Sequence, residues 1–593
     1  MHLRPALLAL TLAVACFPSW AAAGPQIGRT PAPVAHARAS EDLRELYDVG
    51  TYLLHLELDP KNRILSGVVA MEATTTASKV RRVALDLFES WEVQSVELLE
   101  GKLSFEHDLS GLALAHKHVG DHLFIDLPRP YAAEEHFRVA VRYAGTPPAP
   151  LGSEKRKPEH GFFWGTSKDG SPRVDVSCQY VGSHSWWPCK AAYFHPEDKP
   201  DRVLVALTVP EDLTAVSVGN LVSTSKPKAG KRTWRWSLDA PTPTWAVGFA
   251  VGPYTRIDQE VYLSGLKKPL SLSFYACPEN VERARAQLAT VPQILEVYSE
   301  RFGPYPYPHN KLAIVDSLAA SSAGATLVSY GSNYPAWNAR EEVGVGKPEC
   351  EADAGLDPIL AHELAHIWWG QSVSARSWKD VWLHESFANY GVNLVREDLL
   401  GRDAADEDLF GWQTKVSSKS RVFPGEDAAY SSQKSLRSAI WLKGPLVLNQ
   451  LRHYVDDDQA WFGALREMQS KHHLGFADTA DLIALLEYRT GQNWSPYFNA
   501  WYYGSGRPRV DGVVYVMDNE LSINANNEWR SGKGSRVPLD LVWFEGELKR
   551  KHRVWLRPGN NQYSIETKSR PQDVEIVNLE RLLARIAVKP EDH

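Results

Sequence analysis

Alternating apolar and polar residues fill the first part of the chain, between about residues 47 and 255. The runs are short, rich in β-branched residues and separated by turn residues, a pattern that predicts half-buried β-strands. Five of them are TYLLHLELD, GVVAMEATTT, VRRVALDL, HFRVAVRYAG and RVLVALTVP. We therefore predict a large antiparallel β domain over residues 43–260.

Helical periodicity replaces the alternation from about residue 271 onward. One helical stretch, ENVERARAQLATVPQILEVYSERFG, ends at Gly303, and the Pro-Tyr-Pro-Tyr-Pro run that follows cannot continue it. A strand pattern, KLAIVDS, comes next, and later helical stretches are LKGPLVLNQLRHYV and TADLIALLEYRTG. These elements predict an α/β domain over residues 261–507.

Strand patterns return near the carboxyl end, in VVYVMDNELSINA, VPLDLVWFEG, KRKHRVWLRP and NQYSIETK. We predict a small β-sandwich over residues 508–593, so the fold class is multidomain α+β. The length of 593 residues suits several domains. A charged share of 23%, a net charge of −7 and a pI near 6.3 are ordinary for a globular protein and give no reason to expect nucleic acid as a partner.

The amino terminus has the features of an export signal. Basic residues precede the apolar run Ala6–Cys16, and small residues around Ala23 offer a cleavage site, so residues 1–23 read as a signal peptide. This predicts export to the periplasm or secretion. A lipoprotein interpretation, with Cys16 as the lipidated residue, fits the sequence less well.

The segment after the signal peptide, residues 24–42, is rich in Pro and Ala and predicts a disordered leader. No later stretch reaches the roughly 18 apolar residues of a transmembrane helix, so we predict none. An exported chain can form disulfides, but their pairing cannot be read from the sequence. The cysteines left after cleavage are Cys178, Cys189, Cys277 and Cys350.

The strongest chemical signal is the stretch HELAHIWWGQSVSARSWKDVWLHE. His362 and His366 stand four residues apart and share one helix face, so both rings can bind one zinc ion. Glu363 lies one position round the helix, facing the open coordination site. Catalytic zinc uses three protein ligands and a water, and Glu385, the acid that ends this stretch, is the candidate third ligand.

The HExxH pentapeptide has a simpler explanation, an amphipathic helix with two buried, hydrogen-bonded histidines. The downstream acid lies in its own aromatic-rich helical stretch, WLHESFANYGVNLV, and favours the metal interpretation. We therefore predict a zinc hydrolase site with one zinc ion per chain.

These residues resemble peptidase family M1, which includes the alanyl aminopeptidases and the leukotriene hydrolase group. The family pattern is HExxH-x18-E, with the last E in a WLxEGFA setting, and the spacing is the same here. Collinear segments are similar too, among them YDVGTYLLHLELD, WWPCKAAYFHPEDKPDRVLVALTVPEDLTAVSVGNL, YSERFGPYPYPHNKLAIV and FNAWYYGSGRP. The resemblance implies a saddle-like amino-terminal β domain, a thermolysin-like catalytic domain and a peptide or protein substrate.

The resemblance also implies roles for single residues. It makes the two histidines and Glu385 the zinc ligands, and Glu363 the general base that takes a proton from the attacking water and passes it to the leaving amine. Gln179 falls where the family holds the first residue of the substrate. Asp380 stands where an acid commonly supports a zinc ligand.

Two positions depart from the family pattern. The GxMEN motif is missing, and Ala323 stands where its glutamate would bind the free α-amino group. An alanine cannot supply the charge-assisted hydrogen bonds of an ammonium group, each typically about 1.5–3 kcal/mol. Glu349 or Glu351 could replace that glutamate, and the sequence does not decide which.

The second departure concerns the oxyanion. The family's Y-x-K-G motif reads WLKG here, so Trp441 replaces a tyrosine whose hydroxyl stabilises the developing charge. Loss of one oxyanion donor commonly lowers the rate by about 10²–10³. Tyr430 and His384 are the candidate replacements, and for each the alternative is a packed or surface side chain.

Three functions are therefore open. The first is an exported zinc aminopeptidase with atypical recognition of the amino terminus, which the sequence favours. The second is an endopeptidase, or a peptidase for blocked or unusual amino termini. The third is a zinc-binding pseudoenzyme that binds peptides; Glu363 argues against it, because a structural zinc needs no base and has four protein ligands. Oligomeric state and side-chain preference are not encoded in any pattern we recognise.

Overall fold

A computed structural model describes most of the chain after its amino-terminal segment. The described residues lie in one compact unit, Asp42–His593. The predicted signal peptide lies outside them, as does all of the predicted leader except its last residue. The described ranges are 42–150, 161–178, 182–191, 198–319, 321–331, 356–417, 419–426, 438–529 and 534–592.

An eight-stranded sheet forms the centre of the amino-terminal region. Its strand β1 follows the predicted alternation: Leu54 and Leu56 enter the main core, while Leu53 enters a smaller cluster on the opposite face. The sheet is mixed rather than antiparallel, because β1 pairs in parallel with β11, and strands β2 to β10 come between them along the chain. In sheet order, with strands numbered along the chain, it contains β13 (Asn220–Thr224), β14 (Lys231–Leu238), β11 (Arg202–Pro210), β1 (Tyr47–Asp59), β2 (Ile64–Thr75), β8 (His136–Gly145), β4 (Glu92–Leu98) and β5 (Leu112–Ala113).

Two smaller sheets complete this region. Their inward residues join the same core, and the buried thiols of Cys178, Cys189 and Cys277 are free. The three-stranded sheet contains β3 (Val80–Asp86), β7 (His122–Tyr131) and β6 (His116–Val119). The four-stranded sheet contains β12 (Thr214–Ser217), β15 (Phe249–Gly252), β10 (Pro172–Ser177) and β9 (Gly161–Thr166).

A five-stranded sheet connects the amino-terminal region to the helices. Its strands β17, β18 and β20 are parallel and buried, whereas the edge strands are antiparallel to their neighbours. The domain boundary predicted at residue 260 falls inside its edge strand β16. In sheet order the strands are β16 (Thr255–Val261), β17 (Leu270–Ala276), β18 (Leu312–Asp316), β20 (Leu327–Tyr330) and β19 (Ser322–Ala323).

The helices follow in the order that the 3.6-residue periodicity predicts. The first predicted helical stretch is split in two and ends at Gly303, whose φ of 117° only glycine adopts readily. Among the described helices, none is both long and apolar enough to span a membrane. Numbered along the chain, the helices are α1 (Val281–Leu288), α2 (Val291–Phe302), α3 (Pro358–Ala365), α4 (Trp382–Leu400), α5 (Arg402–Gln413), α6 (Gly444–Val455), α7 (Asp458–Lys471), α8 (Thr479–Thr490) and α9 (Ser495–Trp501), with a π-helical turn at Ser438–Lys443.

Two sheets form the carboxyl-terminal region, which confirms the predicted β-rich end of the chain. Leu521 and Ile523 from one sheet and Leu539 and Leu541 from the other are buried in the common core. The first sheet contains β27 (Gly559–Glu566), β24 (Glu520–Glu528), β23 (Arg509–Met517) and β29 (Arg585–Asp592). The second contains β26 (Leu548–Leu556), β25 (Val537–Glu545) and β28 (Gln572–Val577).

A half-buried lysine joins the amino-terminal region to the loops behind the HExxH helix. Lys199 Nζ donates hydrogen bonds to the main-chain oxygens of Gln371, Ser372 and Gly475, at 3.0, 2.9 and 2.7 Å. Strands β21 (Ser374–Ala375) and β22 (Phe476–Ala477), which follow these carbonyls, pair as a short parallel ladder. The loop that leaves the HExxH motif is thus fixed from two sides.

Candidate metal centre

The helix that carries the HExxH motif starts at a strong capping residue. A side-chain oxygen of Asp357 accepts hydrogen bonds from two main-chain N–H groups of the first turn, at 2.9 and 3.3 Å. Pro358 occupies the first helical position, where its missing N–H removes no helical hydrogen bond. The other Asp357 oxygen accepts from Gln287 Nε2 at 2.7 Å and from the Tyr330 hydroxyl. Helix α3 is therefore anchored to α1 and to the five-stranded sheet.

The three predicted zinc ligands converge. His362 Nε2 and His366 Nε2 are 3.0 Å apart, and Glu385 Oε2 lies 3.2 and 3.5 Å from them. These residues form the one group of three or more His, Cys, Asp or Glu side chains in the described part of the chain whose ligand atoms meet closely enough to hold a metal ion.

Hydrogen bonds on the far side of each ring determine which nitrogen faces the cluster. His362 Nδ1 lies 2.8 Å from Asn389 Oδ1, and His366 Nδ1 lies 2.9 Å from the main-chain oxygen of Trp369. Both oxygens can only accept, so each Nδ1 carries the proton and each Nε2 presents a lone pair. Two lone pairs and a carboxylate oxygen face one another.

This donor set fits a zinc ion. Three electron-rich atoms at such short separations repel one another unless a cation lies between them. Donors bound tetrahedrally to one zinc ion at about 2.0–2.2 Å are roughly 3.3–3.6 Å apart, close to the separations found here. Two histidines and one glutamate, which leave the fourth position open, are typical of catalytic rather than structural zinc.

Close packing of two helices brings Glu385 to the histidines. A Cβ added to Gly391 of α4 would lie 3.1 Å from the Ala365 side chain and 3.1 Å from the Tyr298 ring. The glycine therefore allows α4 to approach both α3 and α2. The Tyr298 hydroxyl also donates to the main-chain oxygen of Ala361 at 2.9 Å, which fixes α2 against α3.

Burial keeps both imidazoles neutral. It lowers the pKa of His366 to about 4, against a smaller opposing contribution from the bond to Trp369. Burial, and next the neighbouring His366, lower the pKa of His362 well below its usual value. The contacts with Glu385 are therefore not ion pairs at pH 7, and the rings are in the form that binds metals.

One carboxylate oxygen of Glu363 is left without a protein hydrogen bond in the described part of the chain. Its side chain is buried, and its Oε2 has no hydrogen-bond partner among the described residues. Burial, and then the charge of Asp357, raise the pKa of Glu363 to about 8. A dication bound next to it favours the ionised carboxylate, which is the form a general base needs.

Asp380 has different partners from those predicted. One of its oxygens accepts hydrogen bonds from Thr479 N at 3.1 Å and Thr479 Oγ1 at 2.7 Å, and the other accepts from Ser377 Oγ at 3.2 Å. Within the described residues, none of its hydrogen bonds reaches a metal ligand. The residue instead ties the start of α4 to the start of α8, so the predicted support of a zinc ligand is wrong on this geometry.

Ala323 lines a small cavity next to the metal cluster. Gln371 bridges the two, since its main-chain N–H donates to the oxygen of His366 at 3.0 Å and its Nε2 to the oxygen of Ala323 at 2.6 Å. The described residues around the cavity carry no charged side chain. The hydroxyl and thiol groups in its lining belong to Ser177, Cys178, Ser322 and Ser329.

Several predicted residues lie outside the described ranges, so their roles stay predictions. They are Gln179, Tyr430, Glu349 and Glu351.

The other candidate oxyanion donor, His384, is described and buried. Its Nε2 accepts a hydrogen bond from Ala375 N at 2.8 Å, so that nitrogen cannot donate to an oxyanion. This supports the packed-side-chain alternative for His384.

Asn389 was missed by the sequence reasoning. It follows Glu385 by four residues on the same helix, so the i, i+4 spacing places both on one face. That spacing is the signal that could have identified it. Trp369 could not have been found in this way, because it acts through its main-chain oxygen.

Known proteins resemble this chain over its central part. Residues 286–501 match the family model described as the peptidase family M1 domain. Endoplasmic reticulum aminopeptidase 1 of Homo sapiens is 26% identical over 373 residues, which cover 60% of this chain and 36% of that protein. Aminopeptidase N of Streptomyces lividans is 25% identical over 402 residues, which cover 60% and 45%. The chain thus spans less than half the length of these curated relatives.

A solved structure confirms the fold class. A variant of the M1 zinc metallopeptidase from Deinococcus radiodurans, crystallised with a Tyr-Ser-Ala substrate, superposes with a TM-score of 0.60 at 24% identity. The superposition covers 78% of this chain and 95% of that one. The family match encloses the whole metal cluster described above, so residues 286–501 of this chain form a peptidase family M1 domain.

Proposed function

We propose that this protein is a zinc metallopeptidase that hydrolyses peptide bonds, as a peptidase acting at the amino end. The observation that carries the proposal is the convergence of His362, His366 and Glu385, with both imidazole Nε2 lone pairs turned inward. One zinc ion per chain would be held by the three converging residues. When bound, zinc polarises a carbonyl and lowers the pKa of water to about 7.

The chain's own residues supply the proton transfers. Glu363 Oε2 is buried and without a protein partner among the described residues, so it is available to accept a proton from the attacking water and return it to the leaving amine. The same burial excludes bulk water, which strengthens electrostatic interactions at the site. His362 and His366 remain neutral and take no proton in this scheme.

Recognition of the amino terminus is expected to be atypical. The described lining of the cavity at Ala323 is neutral, so it offers hydroxyl and thiol groups but no carboxylate to an ammonium group. This observation favours a second candidate function, hydrolysis of peptides with a blocked or unusual amino terminus, or endopeptidase action.

The zinc content of the purified protein and a substitution of the proposed general base, Glu363, test the reaction. The purified chain should bind about one zinc ion, and Glu363→Gln should keep the metal while turnover falls about 10²–10⁴-fold. A matched control is Glu467→Gln, which removes a surface glutamate paired with Arg489 and should leave turnover unchanged. Unchanged hydrolysis by Glu363→Gln would contradict the mechanism.

A pair of substrates tests whether the enzyme prefers a free amino terminus. The same peptide is offered with a free and with an acetylated amino group, and an aminopeptidase cleaves the free form faster. Ala323→Glu places a carboxylate at the cavity and should raise the ratio of free to acetylated cleavage about 10–100-fold. Equal cleavage of both peptides by the wild type would end the aminopeptidase proposal and favour the second candidate.

Export is part of the proposal as well. It is supported by the apolar run and small-residue cleavage site at the amino terminus. Mature protein recovered from the periplasmic or secreted fraction should begin at Gly24. A lipid-modified start at Cys16 would support the lipoprotein alternative, and an intact Met1 would contradict export.

A further inference from the structure

The WLKG segment lies against the helix that carries the third ligand. Ser386 Oγ donates to the main-chain oxygen of Ile440 at 2.7 Å, and Asn389 Nδ2 donates to that of Trp441 at 2.9 Å. A Cβ added to Gly444 would lie 1.9 Å from Ser386 Oγ. Only glycine at 444 permits this approach, so the π-helical turn and α4 form one closely packed unit.

A lysine fixes the same turn from its other side. Lys443 is buried, and its Nζ donates to the main-chain oxygens of Ser420 at 2.9 Å and Gly504 at 3.2 Å. The turn is therefore held between α4 and the segment that follows α9. Its main-chain carbonyls have little freedom to move.

The position of the Trp441 carbonyl decides the orientation of the Asn389 amide. A carbonyl oxygen can only accept, so the nitrogen of the amide must face Trp441 and the oxygen must face the opposite way. That oxygen, Oδ1, lies 2.8 Å from His362 Nδ1. The imidazole proton is thereby placed on Nδ1, and Nε2 is left with a lone pair directed at His366 and Glu385.

The two metal-binding histidines are oriented by different means. His366 uses the main-chain oxygen of Trp369, three residues further along its own loop. His362 depends on a side chain from another helix, and that side chain depends on a turn that comes after α5 in the chain. A side chain can be changed without altering the backbone, so this dependence can be tested.

We propose that Asn389 is a positioning residue for the zinc ligand His362, and that the WLKG turn acts on the metal site through the main-chain oxygen of Trp441. The proposal rests on the zinc site of the proposed function. In this proposal the WLKG turn contributes through a main-chain oxygen. The tyrosine hydroxyl of the family's Y-x-K-G motif, which this chain lacks, is not needed for that contribution. The loss of a group that supports a metal-bound histidine typically weakens metal binding about 10–100-fold.

The test compares two buried asparagines on one helix. Asn393 stands four residues after Asn389, is buried as well, and donates its Nδ2 to the main-chain oxygen of Ala405 at 2.7 Å. Zinc affinity of the full chain is measured by competition with a chromogenic chelator. Asn389→Ala should bind zinc about 10–100-fold more weakly than the wild type. Asn393→Ala should bind it within about threefold of the wild type, although it also loses a buried hydrogen bond.

A conservative variant separates orientation from simple destabilisation. Asn389→Asp presents an acceptor oxygen to His362 Nδ1 in either orientation of its side chain, so it no longer needs the Trp441 oxygen to set that orientation. Zinc affinity should therefore return to within about threefold of the wild type. The visible spectrum of the Co²⁺ form should change in Asn389→Ala and be close to that of the wild type in Asn389→Asp. If Asn389→Ala does not fold, Asn389→Leu, which fills the same space without an acceptor for His362 Nδ1, replaces it.

Three results would overturn the inference. They are wild-type zinc affinity in Asn389→Ala, an equal loss in Asn393→Ala, and a tenfold loss in Asn389→Asp. Failure of the wild type to bind zinc would instead remove the proposed function, and the inference with it. Zinc affinity is measured without turnover. If the wild type binds zinc but cleaves no peptide, the proposed function fails, while the zinc affinities of the variants still decide this inference.

Discussion

The cluster around Asp86 and the cluster around Glu385 both combine histidine with a buried carboxylate, and of these two only the second is suited to a metal. In the amino-terminal region, Asp86 is contacted by His122 Nδ1 at 2.9 Å, by Arg44 Nη1 at 3.2 Å and by the main-chain N–H of Ala191 at 3.0 Å. Each of these neighbours brings a proton to the carboxylate. The cluster therefore supplies its own positive charge.

The metal cluster is arranged in the opposite way. The protons of His362 and His366 point outward, to Asn389 and Trp369, so Glu385 faces two lone pairs. Residue types alone therefore do not distinguish a metal site from an ion-pair cluster. The direction of each N–H bond does.

The pKa values of the histidines differ between the two clusters in the way that these proton positions predict. The hydrogen bond to Asp86 raises the pKa of His122, against a smaller opposing contribution from burial. Burial alone would raise the pKa of Asp86, but His122 and Arg44 outweigh it and the pKa is lowered. At the metal cluster burial instead lowers the pKa of both histidines.

The largest expected effect is loss of the metal ligand from α4. Glu385→Leu should weaken zinc binding by more than about 100-fold, the upper range for residues that merely support a ligand. The matched control is Asp86→Asn, which alters the other cluster and should keep about one zinc ion per chain. Zinc content after dialysis against a weak chelator measures both. Retention of zinc by Glu385→Leu would remove the distinction between the two clusters.

The second effect is on stability rather than on metal binding. Asp86→Asn removes the charge that the Arg44 guanidinium and two further donors contact, and should lower the free energy of unfolding by about 2–4 kcal/mol. Urea unfolding followed by tryptophan fluorescence measures it. A change no larger than that of an ordinary surface substitution, about 0.5 kcal/mol, would mean that Asp86 contributes little to the fold.

The smallest effect is a pH dependence of the same cluster. Because the pKa of His122 is raised in the folded protein, its stabilising contribution is fully present below the unfolded value of about 6.5 and is lost as the pH rises through the folded pKa. His122 is partly exposed, so the contribution should be about 1 kcal/mol or less. The difference in unfolding free energy between the wild type and His122→Gln should therefore be larger at pH 6 than at pH 8.5. The charged groups around His122 are Asp86, Arg44 and Asp121. The opposite pH trend would contradict a raised pKa of His122 in the folded protein.

Local patterns predicted much of this molecule because they depend on neighbouring residues. Strand alternation identified β1 and its partners, and helical periodicity predicted the end of a helix at Gly303. The HExxH spacing with a distant acid identified the three residues that converge in the metal cluster. The parallel pairing of β1 with β11 was not predicted, since nothing in either strand encodes the direction of a partner far along the chain. Asp380 was assigned to the metal site for its place in the sequence, but the packing of α8 gave it other partners.

The sequence by itself determined which residues could bind zinc, which acid could act as the base, and where the chain departs from the M1 family pattern, at Ala323 and Trp441. The tertiary structure alone decided which imidazole nitrogen faces the metal cluster and that a cavity with no charged side chain in its described lining lies nearby. Those properties depend on hydrogen bonds between groups distant in sequence, such as Asn389 with the oxygen of Trp441. A periodic pattern records which side of a helix is buried, whereas the direction of a proton depends on what the fold places against it.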